Sequence, residues 1–180
     1  MDIGFGVLAL SGIAAAPPVA AKPAEVRISV DRELDFGSFM VFGNARRSVA
    51  ANGAVTDDSI VALEGTIPAP AQFTVTYDRG NANRHVLDVE VELYISPASA
   101  VRIGGVEGRL SSYETDLPGA RRVTGGQPIR ISIPNCRTRT CSVTFRLGAT
   151  LDVSRQYGGA RLVVPIPVDA VLVSDDRQRR

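Results

Sequence analysis

Tryptophan is absent from this 180-residue chain, histidine occurs once, cysteine twice, and aromatic residues make up only 6%. Each shortage excludes something. A single histidine, His85, must serve any Ser–His–Asp or Cys–His arrangement, and no G-x-S-x-G surrounds a candidate nucleophile. Two cysteines without a C-x-x-C do not supply the ligands of a zinc or redox site. Net charge is missing too. Twenty basic residues stand against 19 acidic ones, so no field steers the chain toward nucleic acid or an anionic membrane. Basic and aromatic residues do not interleave, which also argues against nucleic acid. Outside the N-terminal leader no apolar run approaches the roughly 18 to 20 residues of a membrane span. No segment sustains a helical period.

What the chain does contain changes partway along it. An apolar, alanine-rich leader, Ile3 to Ala21, gives way to segments that alternate apolar and polar residues almost to the end. Such a leader reads as an export signal, residues 1–21, with cleavage after Ala21. Its first residues carry Asp2 and no Lys or Arg, which points to a translation start upstream; the alternative is an ordered N-terminal strand or helix. About 160 residues then remain for one domain with a real core, 22–180. Cys136 and Cys141, spaced C-R-T-R-T-C in an exported chain, are expected to form a structural disulfide.

Alternation with period two predicts strands. Glu25 to Val30 places Val26, Ile28 and Val30 on one face. Leu34 to Phe42 follows, then a hairpin from Arg47 to Ile60 around Asn52-Gly53, a strong turn signal. Short strands are expected at Ile60–Glu64 and Gln72–Tyr77. The clearest strand is Val86–Ile95, with Leu87, Val89, Val91, Leu93 and Ile95 in phase. Ile129–Ile133, Ser142–Val153 and Gly158–Val173 complete the set, although Pro165 and Pro167 cannot donate to a ladder. From Ser96 to Gln127 the pattern weakens and glycine accumulates. Eight to ten short strands with frequent turns predict an all-β, antiparallel sandwich with Greek-key connections. Val86–Ile95, Ser142–Val153 and Gly158–Val173 are expected at its centre.

Other residues invite functional readings that the pattern answers more simply. Asp88, Glu90 and Glu92 share a strand face, but calcium needs six to eight converging oxygens, whereas these lie nearly 7 Å apart. A solvated face accounts for them. Gly104, Gly105 and Gly108 lack the following helix that a phosphate loop requires. Asp57-Asp58 point to opposite faces at a hairpin exit. Arg121, Arg122, Arg137, Arg139, Arg177, Arg179 and Arg180 sit in loops or at the tail; a receptor or glycan contact is one reading of them, and solvated loop tips explain them more readily.

At L-D-F-G-S (Leu34 to Ser38), P-A-Q-F-T-V (Pro70 to Val75) and L-G-A-T-L-D-V-S-R-Q-Y-G-G (Leu147 to Gly159), the chain resembles a family of secreted Gram-negative domains related to spore coat protein U and to fimbrial subunits. The resemblance rests on Leu34, Phe36 and Gly37; on Gly148, Leu151 and Val153; and on Tyr157, Gly159 and the strand Leu162 to Val173. It implies an immunoglobulin-like, pilin-like sandwich, exported to the periplasm and assembled at the cell surface by a chaperone and usher. Ser96–Gln127, the cysteine pair and the charged tail depart from that family's pattern.

Two functions follow as expectations. The first is a fibre or pilus subunit, in which residues 24–30 of one copy, through Val26, Ile28 and Val30, fill the groove of the next by strand exchange. The second is a self-contained secreted binding module that its own first strand completes. A hydrolase is disfavoured by the missing catalytic set, and no cofactor or metal is expected.

Overall fold

The computed structural model describes residues 22–80, 85–97, 100–103, 106–154 and 158–177. The leader 1–21, Asn83 and Arg84, the Gly104-Gly105 pair, Tyr157, and Arg179 and Arg180 lie outside the described residues. The chain is all-β, with no helix among the described residues, and its two antiparallel sheets pack as a sandwich.

The first half is one long two-stranded ribbon. Its first arm comprises β1 (Glu25–Arg32) and β2 (Leu34–Val49), and its second comprises β3 (Val55–Ala62) and β4 (Ala71–Asp78). Val49 pairs with Val55, Phe39 with Ala62, and Asp35 with Ala69; beyond them Ile28 pairs with Val75 and Glu25 with Asp78. The turn between the arms is the expected one. Gly53 takes φ +89°, and the Ala50 and Ala54 backbones close the loop at 2.8 Å. The expected short strand from Ile60 is part of β3.

The remaining elements are β5 (Leu87–Ile95), β6 (Val101–Ile103), β7 (Val106–Thr115), β8 (Arg122–Val123), β9 (Pro128–Cys136), β10 (Thr140–Val153), β11 (Gly158–Val164) and β12 (Val168–Arg177). The ribbon curls around β10. Thr140 to Leu147 pair with β4, and Ala149 to Val153 pair with the far end of β2. Gly148 is the junction. A Cβ there would sit 2.2 Å from the Val49 carbonyl oxygen and 2.7 Å from the Ala51 nitrogen. The curl is possible because four residues, Phe42 to Ala45, lie opposite Ser59 alone, and an insertion of that kind bends a strand. The larger sheet runs β1-β4-β10-β2-β11, with β3 on β2 and β7 on β10; the smaller runs β12-β5-β9.

The core lies between the sheets. Leu87, Val89, Val91, Leu93 and Ile95 of β5 are all buried and meet Phe73, Val75 and Tyr77 of β4 and Phe145, Leu147 and Leu151 of β10 in one cluster. Phe73 and Phe145, directly opposed across two strands, stack with ring centroids 5.3 Å apart. The smaller sheet has β5 at its middle, and β10 is flanked on both edges. The third expected central strand is corrected. Gly158–Val173 is two strands, split at Pro165–Pro167, with β11 beside β2 in the large sheet and β12 beside β5 in the small one. Two prolines cannot continue a ladder, and buried Ile166 between them pins the crossing.

Candidate assembly edge

β1 occupies an outer position in the large sheet, where β4 is its partner among the described residues. Val26, Ile28 and Val30 stand opposite Tyr77, Val75 and Phe73, so their side chains face the space between the sheets. Their burial is unequal. Val26 and Ile28 pack partly against the core, whereas Val30 is 58% exposed. Across from β1 lies β12, the outer strand of the smaller sheet, whose Val168, Ala170 and Leu172 are half-buried. The Tyr77 hydroxyl donates to Asp175 Oδ2 at 2.7 Å and ties the two sheets together at this flank. Burial and that bond push the phenol up to about 12.

The open side of β1 is protected against casual pairing. Glu25 and Arg27 put charge on this strand and bind each other at 2.8 Å, Asp31 and Arg32 turn back to the Thr74 hydroxyl and the Pro70 carbonyl, and the register slips between Val30 and Arg32. Charges and a bulge of this kind blunt an edge strand. The strand's root is held closely. Lys22, the only lysine in the sequence, places Nζ 2.8 Å from Asp78 Oδ2. Gly80 N–H donates to Asp78 Oδ1 at 2.9 Å, and Arg139 Nε donates to the same oxygen at 3.4 Å. These partners, Lys22 foremost, hold the Asp78 carboxyl well below the usual range.

Cys136 and Cys141 are bridged, with Cα atoms 5.7 Å apart and no free cysteine remaining. The loop between them exposes Arg137 and Arg139 and borders the root of β1.

The other residues singled out by sequence do not converge. His85 is exposed at the start of β5, where its carbonyl accepts from Arg79 Nη1. Asp88 accepts from the Asn135 N–H at 3.0 Å, and Glu92 binds Arg130 at 2.9 Å and the Tyr94 hydroxyl. Those two donors, Arg130 first, lower the Glu92 pKa. Glu90 is exposed, and its charge, after that of Glu92, helps to raise the Arg130 pKa. Among the described residues no three His, Cys, Asp or Glu side chains group as a metal site.

Sequence reasoning passed over one buried pair. Arg47, 1% exposed, donates through Nε and Nη2 to both oxygens of Asp57 at 2.6 and 2.7 Å. Its Nη1 reaches the Phe36 carbonyl at 2.7 Å, and its guanidinium lies over the Phe39 ring. The available signal was local: on an N-G hairpin of this register, Arg47 and Asp57 fall directly opposite each other. Two shallow clefts, of 560 and 650 Å³, lie over the outer face of β2, β10 and β7. In register across four strands run Thr56, Ser48, Thr150 and Ser112, and beside them Asp58, Arg46, Asp152 and Arg109. Arg46 and Asp152 compensate each other at 2.6 Å, and the Asp152 pKa is lowered, chiefly by the Ser111 hydroxyl and then by Arg46.

Fold and edge together define a class: an antiparallel β-sandwich whose first strand is a peripheral, separately anchored element. The chain belongs to the family described as a domain of unknown function, DUF4402, whose model matches residues 26–163. The match begins inside β1 and ends within β11, so β12 lies beyond it. No curated protein and no solved structure matches the chain.

Proposed function

We propose that the protein is a structural, non-enzymatic subunit of a surface fibre or pilus, exported through its leader and joined copy to copy by exchange of residues 24–30. Its partners on this reading are further copies or related subunits, a periplasmic chaperone and an outer-membrane usher. The observation that carries the reading is the situation of β1. It is an outer strand with apolar residues at every second position, yet its own chain leaves Val30 largely open. Full burial of three such side chains is worth roughly 5 to 9 kcal/mol. A seat on another copy that covered Val30 as well would recover the part this chain leaves unused.

A second reading, a self-contained secreted module, draws support from the seating of β1 on its own β4. Sedimentation of the purified full-length chain separates the two. The subunit reading expects concentration-dependent polymer and fibres by electron microscopy, and it expects protein lacking residues 24–30 to be rescued by that peptide in trans. A stable monomer at high concentration, simply unfolded by the deletion, rejects it.

A further inference from the structure

The root of β1, the end of β4 and the disulfide loop form one continuous set of contacts. Asp78 ends β4 and is opposed by Glu25 on one side and Thr140 on the other. Its carboxylate takes Lys22 on one oxygen, and the Gly80 N–H and Arg139 on the other. Arg139 lies between the two bridged cysteines, and its carbonyl accepts from the Arg79 N–H at 3.1 Å. Arg79, itself buried, sends Nη2 to the Cys136 carbonyl at 2.7 Å and Nη1 to that of His85. The bridged loop thus holds Asp78 and Arg79, and residues 22 and 23 rest on Asp78 and Gly80.

Gly80 makes the seat a close one. It adopts φ +64°, and a Cβ there would stand 2.1 Å from the Lys22 carbonyl oxygen and 2.8 Å from that of Pro23. Only glycine admits that approach. At the far end of β1 the Thr74 hydroxyl donates to Asp31 at 2.6 Å and Arg32 Nε to the Pro70 carbonyl at 2.9 Å, while Val30 is exposed and the register slips beside it. The strand is held at both ends, and the root alone adds a backbone approach that only glycine admits.

We infer that Asp78, Gly80 and the Cys136–Cys141 loop act as a clasp on the root of β1, so that the cross-link governs how readily β1 leaves its own sheet. The consequence for assembly rests on the strand-exchange reading above; the clasp itself does not. An incoming β1 from a second copy would use the same seat, so the clasp sets the rate of exchange more than its end point.

Hydrogen exchange read by mass spectrometry on the full chain tests the clasp directly. Three variants are compared with the parent protein: Asp78→Asn, Gly80→Ala, and Cys136→Ser combined with Cys141→Ser. Each is expected to speed exchange of the amides from Val26 to Val30 at least tenfold, while those from Val89 to Leu93 in β5 stay protected. If the double serine variant fails to fold, Asp78→Asn and Gly80→Ala carry the test with the bridge intact. Unchanged β1 amides in those two, or loosening shared equally by β5, would overturn the clasp. Sedimentation of the same samples separates the two ideas. Faster β1 exchange without polymer upholds the clasp and rejects strand exchange, whereas polymer with β1 amides unmoved does the reverse.

Discussion

Single side chains decide several features of this sandwich. Gly148 is where β10 leaves β4 for β2, and the backbone of Val49 to Ala51 fills the space a side chain would need. Gly148→Ala should therefore cost at least about 2 kcal/mol in urea denaturation. Gly43→Ala, with open space around it, should change the midpoint little. The Arg47–Asp57 pair is buried on the arginine side, so Asp57→Ala strands a cation beside Phe39 and should cost about 3 kcal/mol by the same measurement. Tyr77 sets a pH dependence. An unfolded chain loses the phenol proton near 10.0 and the folded one only near 12. Stability is thus intact below 10.0 and falls as pH rises from there toward 12. Tyr77→Phe should flatten that alkaline decline in a thermal melt series. Asp78 behaves oppositely. Its lowered pKa stabilises the fold above its ordinary 3.8, and that stability disappears only as pH falls below it. Mild acid therefore should not open the root of β1.

At the scale of the element, β5 shows how far a strand's own pattern reaches. Its five apolar residues are buried, and of the alternate acids Glu90 faces out, Glu92 pairs with Arg130 and Asp88 accepts from the Asn135 N–H. Val91→Asp places an unpaired charge between the sheets and should abolish the cooperative thermal transition, while Glu90→Ala should leave it in place. Equal tolerance of the two changes would mean that the phase is reversed. β7 is the opposite case. Ser111 is an extra residue between the pairs Thr150–Ser112 and Leu151–Leu110, so the alternation of Val106, Gly108 and Leu110 resumes out of step at Tyr113 and Thr115. A ten-residue strand is thereby hidden in what reads as a glycine-rich excursion. The final strand pair was legible only as a phase. Leu162, Val164 and Ile166 do face the core, yet the prolines around Ile166 carry the chain into the other sheet.

For the whole molecule, the long ribbon explains why β1 stands apart. One arm runs from Glu25 to Val49 and the other from Val55 to Asp78, and β10 joins both where the ribbon curls back. β1 is the free end of that ribbon, remote in sequence and in pairing from the closure at Gly148. Its release would uncover the β4 edge with Phe73, Val75 and Tyr77, leaving the remaining sheet pairings intact. A variant lacking residues 22–30 is accordingly expected to keep a near-native β circular dichroism spectrum in the presence of the 22–32 peptide. It should aggregate without the peptide.

The sequence by itself determined which face of each regular strand meets the core, the Asn52-Gly53 turn, and the cysteine pairing. All three are local: alternation follows from the two-residue repeat of a strand, and the turn from glycine's backbone freedom. It also marked Val26, Ile28 and Val30 as one face. Only the tertiary structure decided that these three are unequally buried, that β4 is their neighbour, and that Asp78 and the disulfide loop hold their root. Alternation records that a side chain turns inward but not which strand lies beside it. That choice is settled by the bulge at Phe42–Ala45, the close approach at Gly148 and the crossing at Pro165–Pro167, which act together on residues far apart in the chain.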